Sequence, residues 1–308
     1  MTESIDALQL NLGEGGLLVM NISLAVIMFG VALELTIQDF KDIVKNPKST
    51  LIGTFSQFLL LPLLTFILVW LMKPAPSIAL GMFMVAACPG GNISNFFSLL
   101  AKGNAALSVS MTAVATLLAI FMTPLNFTFW AGMYGPTNTI LQEISLDLEK
   151  VFETIVLILG VPLILGLTVR HFKSKLAKKI SPWIKGFGII FFGGFVVVAF
   201  MSNFDNFIAY VQFVILLVFI HNAIALISGY GIAAIFKLPE PDRRSITIET
   251  GIQNSGLGLL LIFNFFDGLG GMALVTAWWA IWHILAGMTL SWYWSVGKKS
   301  IQRVISNA

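Results

Sequence analysis

"VAACPGGNISNFF", residues 85–97, sits inside apolar sequence that runs for about a bilayer's thickness, yet its middle holds Pro89, Gly90, Gly91, Asn92, Ser94 and Asn95. Proline removes a backbone donor and glycine loosens the chain. In hydrocarbon such a break is tolerated only where the freed backbone groups are buried in protein or line a wet cavity. A second apolar stretch is interrupted in the same way at "ETGIQNSGLG", 249–258, where glycine is followed by Gln253, Asn254 and Ser255.

The composition around these breaks is that of an integral membrane protein. Of 308 residues, 57% are hydrophobic and 11% charged, with mean hydropathy +0.90, against about 45–50% apolar and about 25% charged in soluble domains. A single cysteine, Cys88, excludes an intramolecular disulfide framework and cysteine-based metal clusters. The first 15 residues carry Glu3, Asp6 and Glu14 and no Lys or Arg, unlike the basic start of a secretory signal. Apolar segments long enough to span are read at 16–35, 50–72, 77–100, 104–130, 150–170, 183–202, 210–236, 245–266 and 272–296. The expected fold is all-α with nine transmembrane helices. An odd count puts the termini on opposite sides.

With the N-terminus outside, the inner segments hold Lys41, Lys45, Lys48, Lys102, Arg170, Lys173, Lys175, Lys178, Lys179, Lys185, Lys237, Arg243, Arg244, Lys298, Lys299 and Arg303, leaving Lys73 and Lys150 outside. This is the positive-inside pattern. It places the C-terminus in the cytoplasm and accounts for the net charge of +3 without nucleic acid. Trp70, Trp130, Tyr134, Trp183, Trp292, Tyr293 and Trp294 fall at span ends as interface anchors, whereas the "TAWWAIWH" aromatics, 276–283, lie deeper.

The interrupted spans are third and eighth, each third in a run of four, and they run in opposite directions. Inverted repeats with span five as connector follow. The two breaks would then meet near the midplane, where half-helix N-termini attract anions and unwound carbonyls coordinate cations.

Glu249 is the one acid placed at membrane depth, at a cost of about 2.5–3.5 kcal/mol on insertion scales. No lysine or arginine lies at that depth to pair with it, so its partner is a proton, a hydrogen-bond network or a cation. Neutral oxygens favour the cation. Ser94 and Asn95 come from the first break, Ser108 and Thr112 share one face of span four, and with Glu249 they make an all-oxygen shell. Gln57 and Gln253 build a second shell around the same carboxylate, completed by carbonyls of the unwound turn. Few charges and many neutral oxygens suit Na⁺ better than Ca²⁺.

"CPGGNISN", "ALSVSMT", "IGTFSQF" and "IETGIQNSG" resemble the bile acid:sodium symporter family over nearly the whole chain. The resemblance implies a core domain at 50–130 and 210–296, and a panel domain at 16–35, 150–170 and 183–202. The stretches 1–15 and 297–308 are then tails. It also implies two crossing broken helices, alternating access, and nine spans as in animal members. One sodium site would match Ser94, Asn95, Ser108, Thr112 and Glu249. The other would match Gln57, Glu249, Gln253 and the carbonyls of Thr250 and Ile252. In "IWHILAG" the amide that family members carry after the histidine is replaced by Ile284, which makes the substrate pocket less polar.

The expected function is uptake of an amphipathic organic anion, bile-acid-like or smaller, with two Na⁺ ions across a plasma membrane. Asn92, Asn254, Ser255 and His283 are the candidate substrate-lining residues. Among the other histidines, His221 reads as structural and His171 as solvated. No catalytic residue and no obligate protein partner is indicated. Alternatives are proton coupling through Glu249 and His283, an intramembrane hydrolase with Ser255 as nucleophile and His283 as base, and a passive channel or sensor.

Overall fold

The computed structural model describes every residue except 1–4, 11, 13–14, 37, 40, 42–46, 145–146 and 307–308, so Glu3, Glu14 and Lys45 of the charge pattern lie outside it. Among the described residues there is no strand, only two isolated bridges. In chain order the helices are α1 (Gly16–Ala32), α2 (Pro47–Met72), α3 (Pro76–Ala87), α4 (Ile93–Leu100), α5 (Ala105–Met133) and α6 (Gly135–Ile144). They continue with α7 (Leu148–Phe172), α8 (Ser174–Ser202), α9 (Phe204–Ile235), α10 (Glu240–Gly251), α11 (Ser255–Phe265) and α12 (Gly270–Ser306). Among the described residues six helices are long and apolar enough to cross a bilayer, within α2, α5, α7, α8, α9 and α12; α1, α3 and α11 are shorter apolar helices. The short helix α6, "GPTNTILQEI", has too few apolar residues to register as a span and was not expected.

Both α2 and α7 widen into a π turn, at Ser56–Leu60 and Val156–Gly160, two residues ahead of Pro62 and Pro162. A proline ring collides with the carbonyl four residues back and offers no N–H. The wider turn absorbs that mismatch, and in α2 it leaves Ser56 and Gln57 buried.

Helix α3 is enclosed by the rest of the protein, every residue from Ser77 to Ala87 being buried. Small residues let α12 approach it closely: a Cβ on Gly81 would lie 2.9 Å from Met272 Cα. The main hydrophobic cluster joins α3, α11 and α12 to the inner faces of α1, α5, α7 and α9. At the periphery lies α8, with Trp183 80% exposed and Phe187, Ile190 and Val198 turned outward. Within the stretch assigned to an N-terminal tail, Asp6 Oδ1 accepts from Ser77 N (2.8 Å) at the start of α3. Leu8 O accepts from the amide of Gly270 at the start of α12, and Leu10 N donates to Gly268 O just before it.

Candidate functional site

Each interruption follows from local chemistry. The α conformation is disfavoured for a residue before proline, and Cys88, ahead of Pro89, is extended (ψ 152°), ending α3. The second break is shorter: α10 stops at Gly251, Ile252 is extended (φ −110°, ψ 95°), and Asn254 starts α11 by accepting from Leu257 N at 3.0 Å. Ser94 and Asn95 therefore lie in the first turn of α4, and Thr250 in the last turn of α10, rather than in unwound chain.

The breaks meet. Gly91 N donates to Ile252 O (2.7 Å), Asn254 N donates to Pro89 O (2.8 Å), and Gly90 pairs antiparallel with Gln253. Glycine is required for this approach. A Cβ on Gly90 would stand 2.7 Å from Gln57 Nε2 and 2.9 Å from Glu249 Oε2, and one on Gly91 would stand 3.0 Å from Gln253 O.

Glu249 is wholly buried beside the crossing. Its Oε1 accepts from Ser94 Oγ (2.5 Å) and from Ser108 Oγ, and Thr112 Oγ1 lies 3.3 Å from both carboxylate oxygens. The same two α5 hydroxyls reach Asn95 Oδ1, Ser108 at 2.9 Å and Thr112 at 3.1 Å. A hydroxyl carries one proton. Ser108 and Thr112 each face more acceptors than they can serve, so oxygen lone pairs crowd together around one carboxylate. No ion pair to Glu249 forms among the described residues.

Residues of the expected second shell gather on the backbone next to it. Gln57 Nε2 donates to Glu249 O (2.9 Å) and Gln253 Nε2 to Thr250 O (2.7 Å). Gln253 Oε1 is buried without a partner. Three participants were missed from sequence. Gly90 reads in the sequence only as a helix breaker. Ser56 Oγ accepts from Thr250 Oγ1 (2.9 Å), and Asn222 Nδ2 donates to Gly251 O (2.8 Å). A buried carboxamide at membrane depth on α9 was the signal available for Asn222.

The candidate substrate residues divide. Asn92 and Asn254 stand at the starts of α4 and α11, but Asn254 Oδ1 serves its own helix while Asn92 Oδ1 is buried without a partner. Ser255 follows at the N-terminus of α11 and is 6% exposed. His283, 5% exposed, has an unpartnered Nδ1, and among the described residues no hydrogen bond joins it to Asn92, Asn254 or Ser255. His221 is packed: Thr65 Oγ1 gives its proton to Leu61 O (2.8 Å) and so accepts from His221 Nε2 (2.7 Å), with the Trp279 ring 4.8 Å away. His171 is exposed. A concavity of about 580 Å³ is lined by Phe66, Trp70, Tyr134 and Pro136 among others and by no residue of either break.

Residues 21–210 match the family described as Sodium Bile acid symporter family. The chain is 35% identical over 284 residues to the uncharacterized sodium-dependent transporter YocS of Bacillus subtilis, covering 91% of this chain and 84% of that one. It is 32% identical over 236 residues to human sodium/bile acid cotransporter 4, covering 75% of this chain and 52% of that one. The probable chloroplastic sodium/metabolite cotransporter BASS2 of rice is 29% identical over 278 residues, covering 83% and 63%. The chain thus spans most of YocS but only part of the other two. All are transporters, which removes the hydrolase alternative, and Ser255 and His283 share no hydrogen bond that would support it. With a family match over more than half of its length and YocS aligned along 91% of it, the chain belongs to the sodium bile acid symporter family.

Proposed function

We propose that the protein couples inward sodium flow to uptake of an amphipathic organic anion by alternating access. In this reading α3 with α4, and α10 with α11, each make one discontinuous crossing. That gives nine crossings of a plasma membrane, with the N-terminus outside and the C-terminus in the cytoplasm. Two inverted repeats, α1–α5 and α8–α12, are joined by α7; of these, α2–α5 and α9–α12 form the core, and α1, α7 and α8 form a panel.

The observation that carries the reading is Glu249, wholly enclosed and crowded by hydroxyl and amide oxygens that hold too few protons to satisfy one another. A monovalent cation resolves that crowding, because it accepts lone pairs from every oxygen at once. One Na⁺ takes Ser94, Asn95, Ser108, Thr112 and Glu249. A second takes Gln57, Glu249, Gln253 and the carbonyls of Thr250 and Ile252, a set supported by the unpartnered Gln253 Oε1. Two cations over one carboxylate leave excess positive charge, which an anion at the helix starts near Asn92, Asn254 and Ser255 balances; His283 lines the same route. Bile acid and metabolite in the relatives' names are consistent with an organic anion. Two Na⁺ with a monoanion move one net charge, worth about 2.3 kcal/mol per 100 mV.

The test is a titration of purified protein with NaCl against KCl at fixed ionic strength and pH, with cholate as the first anion probe. Sodium is expected to raise the unfolding temperature, cholate to raise it further only when sodium is present, and Glu249→Ala to abolish both responses while still unfolding cooperatively in KCl. A sodium response that survives Glu249→Ala overturns the assignment. Stabilisation that follows pH and ignores sodium replaces it with proton coupling through the same carboxylate.

A further inference from the structure

A helix leaves its last carbonyls without intrahelical partners. At the end of α10 side-chain carboxamides from three different segments take them over. Gln57 of α2 donates to Glu249 O, Gln253 of the break to Thr250 O, and Asn222 of α9 to Gly251 O, at 2.9, 2.7 and 2.8 Å. The next carbonyl, of Ile252, takes the Gly91 amide. The inversion-related end of α3 has no such support: Cys88 N turns back to Met84 O and Val85 O, and among the described residues no side chain donates to the carbonyls of 84–88. Carboxamide support is therefore particular to the half-helix that carries Glu249.

Two of the three amides already belong to the proposed second ion site, and Asn222 does not. It is 1% exposed, and its Oδ1, like Gln253 Oε1, has no partner. Asn222, Leu226 and Gly229 fall on one face of α9. A Cβ on Gly251 would collide with Leu226, and one on Gly229 would lie 3.0 Å from Thr247 Cα, so α9 and α10 are fitted closely over the two turns that follow the amide on α9. The Gly251 carbonyl belongs to the peptide joining the last helical residue to the extended Ile252. The orientation of that peptide sets the direction in which the break leaves the helix.

We propose that Asn222 is a positioning residue for ion binding. By holding the Gly251 carbonyl toward α9, it keeps the flanking Thr250 and Ile252 carbonyls converged on the second sodium. The inference rests on the sodium reading above. It adds α9 to the elements that set ion affinity. Removing an outer partner of this kind typically weakens metal binding about 10–100-fold.

The experiment measures the sodium concentration for half-maximal thermal stabilisation, NaCl against KCl, in the full chain and in Asn222→Leu, Asn222→Ser and Glu249→Gln. In Asn222→Leu the midpoint is expected to rise about 10-fold or more while the maximal stabilisation at saturating sodium is retained. Asn222→Ser, which keeps a donor, shifts less. A purely structural role lowers the unfolding temperature equally in both salts and leaves the midpoint unchanged, and that result overturns the proposal. Should Asn222→Leu fail to fold, Asn222→Ser decides: a rise of several-fold supports the proposal and a wild-type midpoint overturns it. Absence of any sodium-specific response in the unaltered chain, or its survival in Glu249→Gln, defeats the sodium reading. A normal response there with unshifted Asn222 variants defeats this inference alone.

Discussion

The amide of Gly91 donates to the carbonyl of Ile252 across 2.7 Å, and Asn254 answers in the opposite direction to Pro89 across 2.8 Å. Backbone groups freed in one broken helix are satisfied by the other. Neither break is stable in hydrocarbon without its counterpart, because each unpaired group there would cost several kcal/mol.

Gly90→Ala tests that reciprocity. The added methyl would meet Gln57 Nε2 and Glu249 Oε2 at 2.7 and 2.9 Å, below normal contact on two sides. Overpacking of this kind costs about 1–3 kcal/mol. The variant is expected to unfold at a lower temperature in KCl and to lose sodium-specific stabilisation, both read in one thermal titration.

The two asparagines at the helix starts are expected to separate by assay. Asn254 caps α11 through Leu257 N, so Asn254→Ala should lose about 1 kcal/mol of stability. Asn92 makes no such cap, so Asn92→Ala should unfold like the parent and change anion binding instead. Unfolding and cholate titrations of both variants, side by side, check the contrast.

Acid sensitivity is expected at the first turn of α10. Burial pushes the Glu240 carboxyl up, but hydrogen bonds from Tyr230 (2.8 Å) and Arg244 (3.0 Å), with the charges of Arg244 and Arg243, outweigh it and hold the group below its usual 4.5. A lowered folded value means that its stabilisation is fully present above 4.5 and is lost as pH falls below 4.5 through the folded value. The Glu240 side chain is 38% exposed, so screening keeps the effect small. Tyr230→Phe should flatten the fall in unfolding temperature between about pH 6 and about pH 3.5 relative to the parent. Equal slopes would remove Tyr230 from the account.

Asn21 of α1 and Asn264 of α11 exchange side-chain hydrogen bonds at 3.1 and 3.3 Å. In the proposed domain division this pair bridges panel and core. A short bifunctional thiol reagent joining Asn21→Cys and Asn264→Cys should stop uptake, and cleavage of the linker should restore it. The native Cys88 is fully buried and gives little background. Undiminished uptake by cross-linked protein would show that α1 and α11 do not part during the cycle.

Much of this was legible in the sequence because membrane insertion makes polar residues conspicuous. Glu249 stands out at its depth, and a four-residue spacing was enough to put Ser108 and Thr112 together on Asn95 and the carboxylate. The long spans show as helices for the same reason. Helix α6 did not show, since a short polar helix leaves no apolar run. The side-chain supports of the α10 terminus were hidden for a different reason. Asn222 acts on Gly251 across 29 residues of sequence and Ser56 on Thr250 across 194, and no local periodicity encodes such a partner. Gly90 was noticed for its flexibility, whereas the fold uses its missing side chain.

The contrast between α3 and α8 has a consequence for how this chain can change over time. Where every neighbour is another part of the protein, from Ser77 to Ala87, adding or removing a single methylene disturbs the fit. Trp183, Ile190 and Val198 instead face outward, and fluid acyl chains remould around whatever oily shape is offered. Substitutions that exchange one greasy residue for another should therefore accumulate freely along the outer pole of the molecule, while its axis stays nearly frozen.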